Sequence, residues 1–102
     1  MSNNVHVSTE DGNCILGLPQ RISSDNVSEI FGYIYDALEE QGRKDFLMDA
    51  GEMRYISSAG LRELITLTRN GYDFQIINVS PEIYEIFDIT GMTAMIAIKG
   101  KE

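Results

Sequence analysis

A stretch in the middle of this chain passes from a short apolar run, through a turn of small and polar residues, into a helical pattern. The run is Phe46, Leu47 and Met48, and it is too short to be amphipathic. After the turn, residues that suit one helix face recur at Leu61, Leu64, Ile65 and Thr68. Ser57 and Ser58 fall where that helix begins. A serine there can cap free N–H groups, and a phosphate added there meets the positive end of the helix dipole. The turn is therefore the predicted working site.

The beginning of the chain predicts a β-hairpin. Val5 and Val7 alternate with polar residues, as in a strand with one buried face. Residues 10–13 have the composition of a turn, and residues 14–18 form an apolar returning strand.

A first helix is predicted after the hairpin. Ser24 or Asp25 can cap its start, and Gly42 ends it. Its apolar face is expected at Val27, Ile30, Phe31, Ile34 and Leu38, opposite Glu29, Asp36 and Glu39.

Helices and strands continue to alternate after the central turn. The second helix covers residues 58–70 and ends at Gly71, where a left-handed residue is needed. Ser80 as N-cap and Pro81 in the first helical position begin a third helix, which ends at Gly91. The third helix is expected to bury Ile83, Ile86 and Phe87. A strand carrying Phe74, Ile76, Ile77 and Val79 precedes it, and residues 95–98 form a last strand.

This alternation has neither a linker nor a repeat, and it defines the fold class. The 102 residues are enough for one modest core and too few for two. Helical crossovers between strands favour parallel pairing. The sequence therefore predicts one α/β domain over residues 1–102, with a mixed sheet of four to five strands, helices packed on it, and an initial hairpin followed by β–α repeats.

Charge and composition exclude several kinds of partner. A net charge of −8 argues against nucleic acid and anionic membranes, because affinity for them rests on clustered Lys and Arg. A basic protein surface is a better match, unless the charge only keeps the protein in solution. Cys14 has no second cysteine to pair with, which fits a reducing compartment. No apolar run is long enough to cross a bilayer, and residues 1–6 lack the features of a signal peptide, so we expect a cytoplasmic protein without membrane insertion.

The catalytic inventory argues against an enzyme. His6 is the one histidine, and neither serine lies in a G-x-S-x-G elbow, so no base is placed beside a nucleophile. One cysteine, one histidine and scattered carboxylates predict no metal site. The scattered glycines predict no loop that cradles phosphate groups of a cofactor. We therefore expect no catalysis, no metal and no cofactor.

Two segments also resemble a known family. Residues 49–61, D-A-G-E-M-R-Y-I-S-S-A-G-L, resemble the signature strand–loop–helix of STAS domains, the sulfate-transporter and anti-sigma-factor-antagonist family. Residues 78–92, N-V-S-P-E-I-Y-E-I-F-D-I-T-G-M, are similar to the segment in which that family's fourth strand enters its third helix. The first resemblance rests on Asp49, Tyr55, Ile56, Ser58, Gly60 and Leu61.

The resemblance implies a STAS-like fold and a phosphorylation switch. Single-domain members of the family bind an inhibitory kinase, which phosphorylates one serine of the loop and thereby destroys the complex. The serine two residues before the glycine matches the family's acceptor, which makes Ser58 the predicted acceptor and Ser57 the second choice. Without the resemblance, Ser58 would be interpreted as an ordinary N-cap. The surface that binds the partner is expected at Ser57, Ser58, Ala59, Gly60, Leu61 and Arg62.

The function that this resemblance implies is an anti-sigma-factor antagonist. Its unphosphorylated form would bind an anti-sigma factor with serine-kinase activity and free the sigma factor, and a serine phosphatase would be a further partner. The resemblance does not specify an oligomeric state.

Two departures from the family pattern keep an alternative open. Ser57 stands where the family usually has an acidic residue, and Gly17 is followed by Leu18, Pro19 and Gln20 where the family has an aspartate that helps the kinase contact. Asp25 could replace that aspartate only if the loop carries an insertion. The alternative is a STAS scaffold subunit of a transport or signalling complex, which docks through the same surface without phosphorylation.

Overall fold

The structure is a computed structural model that describes residues 5–101. Residues 1–4 and 102, which belong to the predicted domain, lie outside the described residues. In chain order the elements are β1 (His6–Glu10), β2 (Asn13–Gly17), β3 (Arg21–Ile22), α1 (Val27–Gln41), β4 (Asp45–Asp49), β5 (Tyr55–Ile56), α2 (Ser58–Arg69), β6 (Asp73–Val79), α3 (Pro81–Ile89), a 3₁₀ turn (Met92–Ala94) and β7 (Ala97–Gly100).

The predicted hairpin at the start of the chain is confirmed. β1 pairs antiparallel with β2, and Glu10 lies opposite Asn13. Asp11 and Gly12 connect the strands with φ angles of 52° and 82°. Two consecutive positive φ angles define the turn type whose twist matches that of an antiparallel pair, and Asp-Gly is a sequence that adopts it readily.

The main sheet is mixed, as predicted. Within residues 5–101 it has five strands in the order β1-β2-β4-β6-β7. The pairs β2–β4, β4–β6 and β6–β7 are parallel, and α1, α2 and α3 carry the three crossovers between them. The predicted α/β fold is therefore confirmed.

The core lies between the sheet and the apolar faces of the helices. In α1 the predicted face is buried, and it consists of Val27, Ile30, Phe31, Ile34 and Leu38, with Ala37 in addition. Cys14, Leu16, Met48 and Ile76 supply the buried side chains of the central strands. In α2, Leu64 and Leu67 are fully buried, whereas Leu61 and Ile65 are partly buried against the core.

The predicted cap of α1 is wrong. The N-cap residue is Asn26, not Ser24 or Asp25, and its side chain makes no capping hydrogen bond to the helix. Instead, Asn26 Oδ1 accepts from the Ser23 amide at 2.8 Å, and Asn26 Nδ2 donates to the Arg21 carbonyl at 3.1 Å. The side chain therefore fixes the loop that leads into the helix.

The other helix boundaries agree with the sequence. Gly42, Gly71 and Gly91 have φ angles of 65°, 90° and 82°, so each of these three ends lies in the left-handed region. Ser80 Oγ accepts from the Ile83 amide at 3.3 Å, and Pro81 is the first residue of α3. The last strand begins at Ala97 instead of residue 95, because the 3₁₀ turn Met92–Ala94 comes first.

Candidate functional site

A second, very short sheet positions the predicted working turn. β3 and β5 pair in parallel, with Arg21 opposite Tyr55 and Ile22 opposite Ile56. The Ser57 amide then donates to the Ile22 carbonyl at 2.8 Å, so the pairing continues to the residue before α2. The start of α2 is thus held by backbone hydrogen bonds to β3.

The two adjacent serines of the turn occupy different positions. Ser57 is the N-cap of α2, with extended backbone angles, and its Oγ accepts from the Gly60 amide at 3.2 Å. Ser58 is the first residue of the helix and is exposed. No hydrogen bond of the Ser58 hydroxyl occurs within residues 5–101. One hydroxyl therefore serves the helix, and the other faces solvent.

Gly60 faces the interior of the protein, although it is one of the residues expected in the partner-binding surface. A Cβ at this position would lie 2.8 Å from Ile56 Cγ1 and 2.9 Å from Ile22 Cγ2. Both isoleucines are buried and point from the small sheet toward α2. The position is therefore small so that the first turn of α2 can pack on β3 and β5, and not so that a partner can approach.

The rest of the predicted binding surface is divided between an inner and an outer side. Ala59 and Leu61 are partly buried and pack against the core. Arg62 is exposed, and the Thr66 hydroxyl donates to its backbone carbonyl at 3.0 Å. The exposed part of the predicted surface thus consists mainly of Ser58 and Arg62.

A pair of exposed side chains beside this turn was not predicted from the sequence. The Arg21 guanidinium lies 4.9 Å from the centre of the Tyr55 ring, and 43% of Tyr55 is exposed. Because Ile22 and Ile56 point inward, Arg21 and Tyr55 point outward from the small sheet. Strands of two residues have too little periodicity to be found by a pattern, so no signal in the sequence brings these two residues together.

A polar cluster lies where the central parallel strands end. Asp49 Oδ1 accepts from the Gly51 amide at 2.9 Å and from Asn78 Nδ2 at 3.2 Å. Asn78 has a φ of 60° and lies in an irregular part of the β6–β7 pairing. Lys101 Nζ donates to the Gly51 carbonyl at 3.1 Å. These contacts fix the loop between β4 and β5, which leads to the working turn.

An open groove of about 430 Å³ adjoins this cluster, and His6 lies on its wall with Asp49 and Asn78. Among residues 5–101, no three His, Cys, Asp or Glu side chains lie together in a way that could hold a metal ion. Across the same residues, no helix is both long and apolar enough to span a membrane. His6 is exposed on β1, which is an edge strand.

A mixed five-stranded sheet, three crossover helices and a strand–turn–helix with an exposed serine together define the class of this domain. The sequence matches the family model described as the STAS domain over residues 4–102. The chain therefore belongs to the STAS domain family.

Solved structures share the same fold. One is the crystal structure of an anti-sigma factor antagonist from Mycobacterium paratuberculosis, with a TM-score of 0.81 and 14% identity, covering 94% of this chain and 84% of that one. Another is an anti-sigma-factor antagonist (STAS) domain protein from Planctomyces limnophilus, with a TM-score of 0.78 and 18% identity, covering 96% and 91%. No sequence among proteins of curated function matches this chain. The TM-scores establish a shared fold. The sequence identities are too low to establish more, so the roles of Ser58 and its neighbours stay predictions.

Proposed function

We propose that this protein is an anti-sigma-factor antagonist controlled by phosphorylation of Ser58. In its unphosphorylated form it binds an anti-sigma factor that has serine-kinase activity, and the bound sigma factor is released. Phosphorylation of Ser58 by that kinase ends the interaction, and a serine phosphatase restores it. The single observation that carries this proposal is the exposed Ser58 hydroxyl in the first turn of α2, beside a serine whose own hydroxyl is used.

The difference between the two serines supports Ser58 as the acceptor. A kinase must bring its nucleotide within reach of a free hydroxyl. The Ser57 hydroxyl is half-buried and accepts from the Gly60 amide, so its phosphorylation would disturb the cap of α2. The Ser58 hydroxyl is exposed and needs no such rearrangement.

The position of Ser58 also explains how a phosphate can act without unfolding the domain. The first amides of a helix have no acceptor within the helix, and the helix dipole favours negative charge there. A phosphate at Ser58 adds about 1.5 to 2 negative charges at this end. Arg62 lies one helical turn further on, is exposed, and forms no ion pair within residues 5–101, so it is able to pair with the phosphate. The modification therefore changes the surface, and the partner is lost through repulsion and steric exclusion.

The same arrangement supports a binding module in preference to an enzyme. Within residues 5–101 no basic side chain forms a hydrogen bond with Ser58. His6 lies on β1, and β2 separates β1 from β4, the strand that leads toward the turn. A serine hydroxyl without a base is a weak nucleophile.

The loop after β2 favours a second candidate function, a docking subunit that is not phosphorylated. Between Gly17 and Asp25 the chain has no acidic residue. Leu18 and Pro19 are buried there, and the Leu18 amide donates to the Asp49 carbonyl. Asp25 is exposed directly before the N-cap of α1. A partner that does not phosphorylate the turn would not need the family's acidic contact.

Phosphorylation by a purified kinase separates the two functions. Each anti-sigma factor with a serine-kinase domain from the same genome is mixed with the protein and ATP, and the site is read by mass spectrometry. We expect one kinase to modify the parent protein and Ser57→Ala, but not Ser58→Ala. Binding of an anti-sigma factor without any phosphate transfer would favour the docking subunit. Labelling that persists in Ser58→Ala and is lost in Ser57→Ala would place the acceptor at Ser57.

A further inference from the structure

The outer face of the small sheet carries two exposed side chains close in the backbone to the working turn. Arg21 and Tyr55 lie opposite each other in the β3–β5 pair. The hydrogen bond from the Ser57 amide to the Ile22 carbonyl places this pair directly beside the start of α2. Because only Ile56 and Ser57 separate Tyr55 from Ser58, the pair lies close to the working turn.

Within residues 5–101 the Arg21 side chain lies over the Tyr55 ring and donates no hydrogen bond. Its guanidinium lies 4.9 Å from the centre of the Tyr55 ring, a distance that gives a favourable cation–π contact. Arg21 forms no ion pair with a carboxylate within residues 5–101, where the one ion pair joins Arg43 and Asp45. The guanidinium group is planar, and its N–H groups match both oxygens of a carboxylate.

An exposed arginine held on a tyrosine is the kind of group that contributes most to a protein interface. Tyrosine and arginine are enriched among the residues that dominate binding energy at protein interfaces. Among the basic side chains of residues 5–101 only Arg43 forms an ion pair, and Arg21 is the one arginine that lies over an aromatic ring. No carboxylate of residues 5–101 pairs with Arg21, so its N–H groups are open to a carboxylate of a binding partner.

We propose that the Arg21–Tyr55 pair is part of the docking surface and receives a carboxylate side chain of the anti-sigma factor. This inference rests on the proposed function, and it adds the chemistry of the contact beside Ser58. It also explains why phosphorylation is effective. The domain is acidic in both forms, so its overall charge does not distinguish them. A partner that places a carboxylate next to the working turn is repelled locally when Ser58 gains a phosphate.

The test measures binding of the purified kinase that phosphorylates the parent protein, in the absence of ATP. Arg21→Glu is expected to weaken binding by at least about tenfold, because it removes a charge pair and sets two carboxylates against each other. Lys99→Glu is the matched control, since Lys99 is also exposed, lies on the edge strand β7 and undergoes the same change in charge. Binding of this control should stay within about twofold of the parent, as expected for a charge outside the interface.

Two further variants examine the geometry of the contact. Arg21→Lys keeps the charge but lacks the planar fork, and it should bind less tightly than the parent. Tyr55→Ala removes the ring that orders the guanidinium and should also weaken binding. Thermal melts test whether all variants are folded. Arg21 and Tyr55 are both exposed, so we expect their substitutions to leave the fold intact.

A charge swap identifies the partner's carboxylate. Each exposed Asp and Glu of the kinase near its binding face is changed to Arg, and one of these variants should restore binding of Arg21→Glu.

Equal losses in Arg21→Glu and Lys99→Glu, or no loss in Arg21→Glu, would overturn the inference. Ser58→Asp in the same titration separates the two proposals. If Ser58→Asp loses binding while Arg21→Glu does not, only the Arg21 contact is wrong, and undiminished binding of Ser58→Asp would refute the proposed switch itself.

Discussion

Replacing Gly60 with alanine measures how closely the first turn of α2 packs on the small sheet. The new Cβ would lie 2.8 Å from Ile56 Cγ1 and 2.9 Å from Ile22 Cγ2, with Ile56 Cδ1 at 3.2 Å. Carbon atoms in favourable contact are about 3.5 to 4.0 Å apart, so the helix or the two isoleucines must move. Overpacking of this kind costs about 1 to 3 kcal/mol, whereas alanine gains about 1 kcal/mol over glycine in helix propensity. The net expectation is a loss of up to about 2 kcal/mol in the free energy of unfolding.

Urea unfolding followed by circular dichroism measures this loss, and the chain offers a matched control. Gly32 lies within α1, and a Cβ there would meet no atom within 4 Å. Gly32→Ala should therefore stabilise the protein by roughly 0.5 to 1 kcal/mol. Combining Gly60→Ala with Ile56→Ala, which removes Ile56 Cγ1 and Cδ1, should recover about 1 kcal/mol relative to the sum of the single changes. If Gly60→Ala stabilised the protein as Gly32→Ala does, the close packing of α2 on β3 and β5 would be refuted.

Three further predictions concern single hydrogen bonds and charges. Ser57→Ala removes the cap of α2 and should lower the free energy of unfolding by about 1 kcal/mol in urea titrations, whereas Ser58→Ala should change it by less than about 0.5; equal effects would mean that Ser57 is not the cap. Ser58→Asp should keep the melting temperature of the parent, because negative charge suits a helix N-terminus, and should lose kinase binding. A large drop in its melting temperature would indicate a switch that unfolds the domain. Asp49→Ala leaves the Gly51 amide and Asn78 Nδ2 without their acceptor and should lower the free energy of unfolding by about 1 to 2 kcal/mol. Asp49→Asn should be less affected, and a thermal melt of Asp49→Ala identical to that of the parent would contradict this.

Local signals were sufficient to predict most of the fold. The turn at residues 10–13, the helix end at Gly42 and the Ser80-Pro81 helix start are each determined by residues a few positions apart. Glycine takes a positive φ at little cost, and a serine directly before a proline favours a helix start through contacts within a few residues. Such features can be found in a sequence because their physical cause lies within it at short range.

Features that depend on distant residues were missed or misplaced. β3 and β5 have two residues each, and they are stabilised by pairing across more than thirty residues of chain. The sequence offered Ser24 and Asp25 as caps of α1, whereas the N-cap is Asn26, whose side chain finds its partners in the preceding loop. Neither outcome is fixed by periodicity or by the preference of one residue type.

The candidate site was predicted in part. The strand–turn–helix and its two serines lie where the sequence placed them. The sequence could not show which hydroxyl is engaged, because this depends on which serine begins the helix. It also could not show that Gly60 points inward, since that depends on Ile22, which belongs to a distant strand.

The order of the strands has a consequence for how the chain is made. In the main sheet formed by residues 5–101, the strands lie side by side in the same order as in the sequence. Each new strand therefore adds to the outer edge of the one before it, and none must be inserted between two strands that are already paired. A chain leaving the ribosome can build this sheet in the order of its synthesis. Until β7 emerges, β6 has one unpaired edge, which is a site for unwanted pairing with other chains. β7, with Lys99 exposed on it, covers that edge last.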